Sequence, residues 1–152
     1  MNMYNGAANK VLFILEQNDA FKANILPLLG FRVLDENIDV YNKDVYADAV
    51  YFIVVGAVNF LYGNDFCFRN MLAGSHFGEY EVIKRKPREF SVMSQKKCEF
   101  LIMKRNVIDL ISRDYHEVYH NLKKLAEERK ARNEDTIKQI IDAAHSIEIP
   151  QS

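Results

Sequence analysis

An α+β fold is expected for this chain: a β jelly-roll barrel with helices before it, one short helix set among its strands, and two helices after it. Two observations lead there. The apolar period is helical up to about residue 30, breaks into short β-branched and aromatic runs with turn signals over 31–104, and becomes helical again afterwards. The 152 residues, 49% apolar and 27% charged, suffice for one domain that buries most of its apolar side chains.

In the first segment, 1–30, Val11, Leu12, Phe13 and Leu15, then Phe21, Ile25, Leu26, Leu28 and Leu29, are spaced to give apolar stripes. Asn18 or Asp19 can cap the second helix, and Pro27-Leu28-Leu29-Gly30 can end it. In the second segment, strands are expected over 32–34, 39–41, 50–55, 57–62, 66–71, 89–94 and 98–103. Gly56 breaks one pair, and Gly63-Asn64-Asp65 reads as a hairpin turn. Strands this short and this closely spaced fit a small sandwich or jelly roll. The third segment, 105–145, should hold a short helix around Val107, Ile108, Leu110 and Ile111, ending near 112–114. A longer helix follows from about 114 to 144, with Tyr115, Val118, Leu122, Leu125 and Ala126 on one face. Its middle is almost entirely charged, and then a second stripe appears: Ile137, Ile140, Ile141 and Ala144. One domain rarely needs so long a helix, so that stripe is expected to meet another copy of the chain or the remainder of a larger assembly. The tail, 146–152, should be loose.

A formal net charge of −1 gives no global electrostatic case for nucleic acid or a membrane surface. The dense basic run Lys84-Arg85-Lys86-Pro87-Arg88 reads as a solvated helix end plus one ligand arginine. Cys67 and Cys98 lack CxxC spacing and sit in apolar runs, so both are expected to be buried thiols in a reducing compartment. No apolar run approaches the ~20 residues of a membrane span. With no secretory layout at the N-terminus, a cytoplasmic location is expected. His116 and His120 are four apart, but nothing nearby completes a metal site. The run Asp35-Glu36-Asn37-Ile38-Asp39 lacks the glycine and glutamate of a calcium loop. No nucleophile–base pattern appears, so no enzyme activity, metal or cofactor is expected.

The chemistry concentrates in 77–92, FGEYEVIKRKPREFSV. Gly78 has no Cβ to keep a ligand from the backbone. The Glu79 carboxylate suits a ribose hydroxyl, and the amides of Tyr80 and Glu81 open a short helix toward a phosphate. Arg88, fixed by Pro87, would neutralise that phosphate through two parallel hydrogen bonds.

The order of elements and the motifs themselves resemble the cyclic-nucleotide-binding domain family over roughly residues 20–130. Tyr51-Phe52-Ile53 with Gly56-x-Val58 looks like the family's YFIxxGxV strand pair. Leu72-Ala73-Gly74-Ser75-His76-Phe77-Gly78-Glu79 looks like its LxxGxxFGE run, Arg88 falls where its phosphate-binding cassette has an arginine, and Cys98-Glu99-Phe100-Leu101 is similar to the strand that follows. Within the family, the cytosolic domains of hyperpolarisation-activated and cyclic-nucleotide-gated ion channels look most similar, on Ile25-Leu26-Pro27-Leu28-Leu29 and the charged final helix. The resemblance implies cAMP or cGMP as ligand. Its phosphate and ribose side would comprise Gly78, Glu79, Tyr80, Glu81, Arg88 and Glu89, with Glu79 on the 2′-hydroxyl. Its base side would comprise Met71, Arg129 and Arg132, Lys130 being a further candidate from the final helix. His76 would sit at the pocket rim.

Three departures from the family pattern matter. Glu81 stands where a small residue is usual, and Glu89-Phe90 follows Arg88 in place of Ala or Thr and then Ala. Each carboxylate near a phosphodiester costs on the order of 1 to 4 kcal/mol, against about 8 kcal/mol for a micromolar ligand. Either Glu81 reaches Arg88 and substitutes for the ligand's phosphate, or both glutamates point to solvent. Asp44 replaces a turn glycine, which aspartate tolerates. The resemblance thus implies a regulatory domain, of an ion channel, in which pocket occupancy moves helices and cyclic-nucleotide binding is weakened or lost. The alternatives are a ligand-independent scaffold in a larger assembly and a fragment of a protein kinase regulatory subunit.

Overall fold

The computed structural model describes residues 12–63 and 66–148. Val11, the turn residues Asn64 and Asp65, and tail positions 149–152 lie outside them. The elements run α1 (Leu12–Leu15), α2 (Asp19–Ile25), a 3-10 turn (Leu26–Leu28), β1 (Gly30–Leu34), β2 (Asp39–Tyr41), β3 (Ala49–Val55), β4 (Ala57–Tyr62), β5 (Phe66–Leu72), β6 (His76–Phe77), α3 (Glu79–Lys84), β7 (Ser91–Ser94), β8 (Cys98–Lys104), α4 (Arg105–Asp114) and α5 (His116–Glu148).

Two four-stranded antiparallel sheets face each other, one in the order β1-β8-β3-β6 and the other β2-β7-β4-β5. Strand β3 explains why there are two cores. Its run AVYFIVV is buried on both faces. Ala49, Tyr51 and Ile53 point between the sheets, where they join Val58, Phe60, Phe77, Val92 and Phe100. Val50, Phe52 and Val54 point the other way and pack under Phe21, Ile25, Val107, Ile108, Ile111 and Leu122 of the helices. A period of two along one strand therefore holds both the sandwich and its helical layer. The aromatic richness is intersheet core, with the rings of Tyr51 and Phe77 stacked 5.4 Å apart and Phe60 and Phe100 edge-on to Phe77.

Local signals set the boundaries. Asn18 caps α2 by accepting from the Phe21 amide at 2.8 Å. Asp44 takes φ 72, as a left-handed turn requires. Strand β6 is a two-residue strand held against β3 by Tyr51↔Phe77 and Phe52↔His76, too short for a periodic signal. β7 starts at Ser91 rather than 89, because Arg88 to Phe90 turn inward. The long final helix continues through Glu148, so 146–148 are helical rather than a loose tail. Cys98 is buried as expected, but Cys67 is exposed, because the β5 face that carries it looks outward. No helix among the described residues is long and apolar enough to cross a membrane.

Gly56, between β3 and β4, has φ +99, and a Cβ there would meet the Lys97 carbonyl at 2.4 Å. A left-handed residue jammed against backbone costs about 1–3 kcal/mol before any clash is relieved. Gly56→Ala should therefore lower the unfolding free energy measured with urea by at least that much, and an unchanged value would show that the β3–β4 corner can shift.

Candidate functional site

The site is built around an arginine that the fold pins at both ends of its backbone. The Arg88 amide donates to the Val45 carbonyl at 2.8 Å, the Arg88 carbonyl accepts from Asp44 at 2.8 Å, and Pro87 bridges Tyr46. The side chain is thereby aimed inward, and it is 2% exposed. Its Nη1 donates to the Gly78 carbonyl at 2.6 Å and to Glu81 Oε1 at 3.0 Å, and its Nη2 donates to the Ala49 carbonyl at 2.5 Å. The Tyr41 ring lies 4.0 Å beneath the guanidinium carbon. Those bonds diverge to three acceptors within the chain. Gly78 caps α3 at φ +87, and a Cβ there would stand 2.8 Å from Arg88 Nη1. Glycine is needed both for that backbone turn and for the approach of the arginine.

Glu81 is buried with Arg88 as its partner. Burial pushes its carboxyl above the ordinary value, and Arg88 pulls part of that shift back. Of the two positions open to Glu81, reaching Arg88 or facing solvent, the first is the one observed. Glu89 does neither: it receives the ammonium of Lys130, which also bonds Glu134 at 3.2 Å. Burial works against that ammonium, but the two carboxylates outweigh it and hold its pKa above the ordinary value.

Helix α5 crosses the mouth of the site. Arg129 donates to Glu79 Oε1 at 3.0 Å and to the His76 carbonyl, so it meets the acidic side of the pocket. Arg69 of β5 faces inward, donating to Asn133 at 2.7 Å and Thr136 at 2.8 Å and reaching the Arg132 carbonyl at 3.5 Å. Arg132 itself is exposed on the rim, and Met71 forms part of the wall. Lower on the same helix, Leu122 and Ala126 are buried and Glu127 receives Lys84 at 2.6 Å. Arg85 pairs with Asp109 at 3.6 Å, so the basic run 84–88 is engaged by its own fold at three of its four cations.

A cavity of about 350 Å³ remains under α5, within the range of small-molecule sites. Phe60, Met71, Phe77 and Phe90 are its apolar walls, and Glu79 and Glu81 are its inner polar groups. Arg88 does not line it; Glu81 stands there instead. Glu79 is 2% exposed, and its Oε2 has no hydrogen-bond partner. His76 is not on the rim. It is buried between Phe13 and Phe52, with ring centroids 5.3 and 5.6 Å away. Among the described residues no cluster of three or more metal-ligating side chains occurs, and His116 and His120 are exposed. The contacts of Asn133, Thr136 and the Glu89–Lys130 pair were not visible in the sequence, since each joins segments more than 40 residues apart.

No family model and no curated protein matches the chain. Solved structures do. The domain PKAR CBD2 bound to Sp-2Cl-cAMPS superposes with a TM-score of 0.72 at 12% identity, over 91% of this chain and 89% of that one. A cyclic nucleotide-binding protein of Geobacter metallireducens gives 0.69 at 16%, over 85% of this chain and 98% of that one. The regulatory domain of Toxoplasma gondii PKA with cAMP gives 0.70 at 19%, over 83% of this chain and 49% of that one. At these identities the likeness establishes the fold: the jelly roll with helices of cyclic-nucleotide-binding domains.

Burial lowers the His76 pKa from 6.5 to about 4, the Glu79 carboxylate resisting and Arg129 assisting. The unfolded chain thus binds the proton first as pH falls. Stability from a neutral His76 is complete above about 6.5 and is lost progressively down to about 4, in all about 3 kcal/mol. Urea unfolding of the wild type and His76→Gln at neutral pH and at a pH just above 4 should show the wild type losing about 2–3 kcal/mol more. Equal losses would mean that His76 is not held neutral.

Proposed function

We propose that this chain is a non-catalytic regulatory domain with a cyclic-nucleotide-type pocket whose anion position is filled by its own Glu81. One observation carries the reading: the only buried guanidinium suited to a ligand phosphate is bonded to Glu81 at 3.0 Å and withdrawn from the cavity wall, among the described residues. The solved structures of like fold include domains with cAMP or an analogue bound, which supports a small-molecule ligand under α5. The bonds of Arg129, Lys130 and Arg69 hold α5 across the mouth through side chains of the chain itself. Regulation then consists of a shift between this closed arrangement and one in which α5 leaves the barrel, driven by whatever binds one state better.

Two larger contexts fit the reading. The resemblance of the sequence supports a channel on the cytosolic face of a membrane, and the kinase regulatory structures of like fold support a kinase regulatory subunit equally well. In either, the half-buried Ile137 and Ile140 and the exposed Ile141 give α5 an outer contact for the rest of the assembly or a second copy. A scaffold that never responds to a ligand is the alternative, supported by the closure of α5 through side chains alone.

Calorimetric titration with cAMP and cGMP tests the filled anion position. The wild type should bind neither below about millimolar Kd, whereas Glu81→Ala should gain at least about tenfold, roughly 1.4 kcal/mol, because Arg88 is left with carbonyls and a ring but no anion. Since burial raises the Glu81 pKa, wild-type affinity should also rise as pH is lowered from neutrality, and that of Glu81→Ala should not. Tight binding by the wild type at neutral pH would refute the reading.

A further inference from the structure

Resting on that reading, we infer that the cavity takes an aromatic carboxylate, with its anion held at the β5–α5 end by Arg69 and Arg132. That polarity is the reverse of the one the sequence resemblance implies, in which the anion lies at Arg88. Among the described residues, Arg69, Arg129, Lys130 and Arg132 are the cations that line the cavity. Arg129 is answered by Glu79 and Lys130 by Glu89, while Glu81 is held by Arg88. Arg69 and Arg132 join no ion pair among the described residues. Two cations are left over, and both face the same end of the space.

The two arginines are neighbours across strand and helix, with Arg69 Nη2 reaching the Arg132 carbonyl at 3.5 Å. Arg69 spends its Nε and Nη2 on neutral acceptors, Asn133 at 2.7 Å and Thr136 at 2.8 Å. Among the described residues its Nη1 makes no hydrogen bond, and neither does the exposed Arg132 guanidinium. Burial, and then the charges of Arg132 and Arg129, lower the Arg69 pKa, as befits a cation short of anions. The carboxylates nearest Arg132 along α5 do not supply one. Glu134 is spent on Lys130, and Glu128 and Asp135 form no ion pair with Arg132. An anion set between the two guanidiniums would relieve their repulsion and gain charge-assisted hydrogen bonds. A carboxylate brings two oxygens, one for each arginine. The other end of the ligand must carry no negative charge, because Glu79 and Glu81 stand there with their cations already engaged. Its walls are the rings of Phe60, Phe77 and Phe90, against which an aromatic body packs.

The experiment is calorimetric titration of the whole chain at neutral pH with phenylacetate, indole-3-acetate and 1-naphthoate, beside their primary amides and acetate. At least one aromatic acid should bind at least about tenfold tighter than its amide, and acetate should not bind at millimolar concentration. Arg132→Gln should remove most of that preference and leave the amide unchanged. The Arg132 side chain makes no bond among the described residues, so the variant gives up the charge and keeps the carbonyl that Arg69 reaches. The comparison of acid with amide on the wild type stands even where that variant fails to fold. An amide that binds as tightly as its acid, or an acid whose affinity Arg132→Gln leaves unchanged, overturns the inference. So does acetate that binds as tightly as the aromatic acids, or no aromatic acid bound at millimolar concentration. If the wild type binds no aromatic acid while Glu81→Ala gains a cyclic nucleotide, the inference falls and the filled anion position stands. If the wild type binds a cyclic nucleotide tightly, both fall.

Discussion

The ion pair between Arg88 and Glu81 is the constraint on which the site depends. A guanidinium this deeply buried must have its charge answered and its donors met, since an uncompensated buried ion costs several kcal/mol. Here one carboxylate, two carbonyls and one aromatic face meet it. Each of those partners comes from a different element: Glu81 from α3, Gly78 from its cap, Ala49 from β3 and Tyr41 from β2. The arginine thus ties the short helix to both sheets. Supplying the anion from within the chain fixes that junction without a ligand, and it also removes the chief reason for a phosphate to bind there.

Closure of the pocket follows from the same pairing of charges. Once Glu81 has taken Arg88, Glu79 and Glu89 are the remaining inner carboxylates, and α5 brings Arg129 and Lys130 to them. These contacts are partly exposed, and each is modest compared with the inner pair. The apolar anchors Leu122 and Ala126 hold the first half of α5 more firmly than polar bonds hold the stretch over the cavity. The segment from Arg129 to Thr136 is therefore the part of the helix that a competing donor or a changed charge would release at least cost.

Much of this was legible in the sequence, and the limits are physical. The two-sided burial of β3 is written in its unbroken apolar run, the cap of α2 in Asn18, the left-handed turn in Asp44, and the meeting of Gly78 and Arg88 in the spacing of one short motif. Glu81 betrayed itself by being an acid where a small residue was expected, which narrowed its position to two without choosing between them. The choice depended on desolvation against a guanidinium seven residues away, which periodicity does not encode. The pairing of Glu89 with Lys130 and of Arg129 with Glu79 was not readable, because the partners lie 41 and 50 residues apart along the chain. Cys67 was misjudged because an apolar neighbourhood in sequence does not say which face of an edge strand looks outward. Local chemistry was readable; the pairing of charges across the mouth was not.

A double-mutant cycle on the inner pair, with Glu81→Gln, Arg88→Gln and the double variant compared by urea unfolding at neutral pH, measures the central interaction itself. If Glu81 is the anion that answers Arg88, the coupling energy should be about 2–3 kcal/mol, with the double variant more stable than the sum of the single losses predicts. Coupling below about 0.5 kcal/mol would mean that the two side chains act independently, and the pocket would not be filled by its own carboxylate.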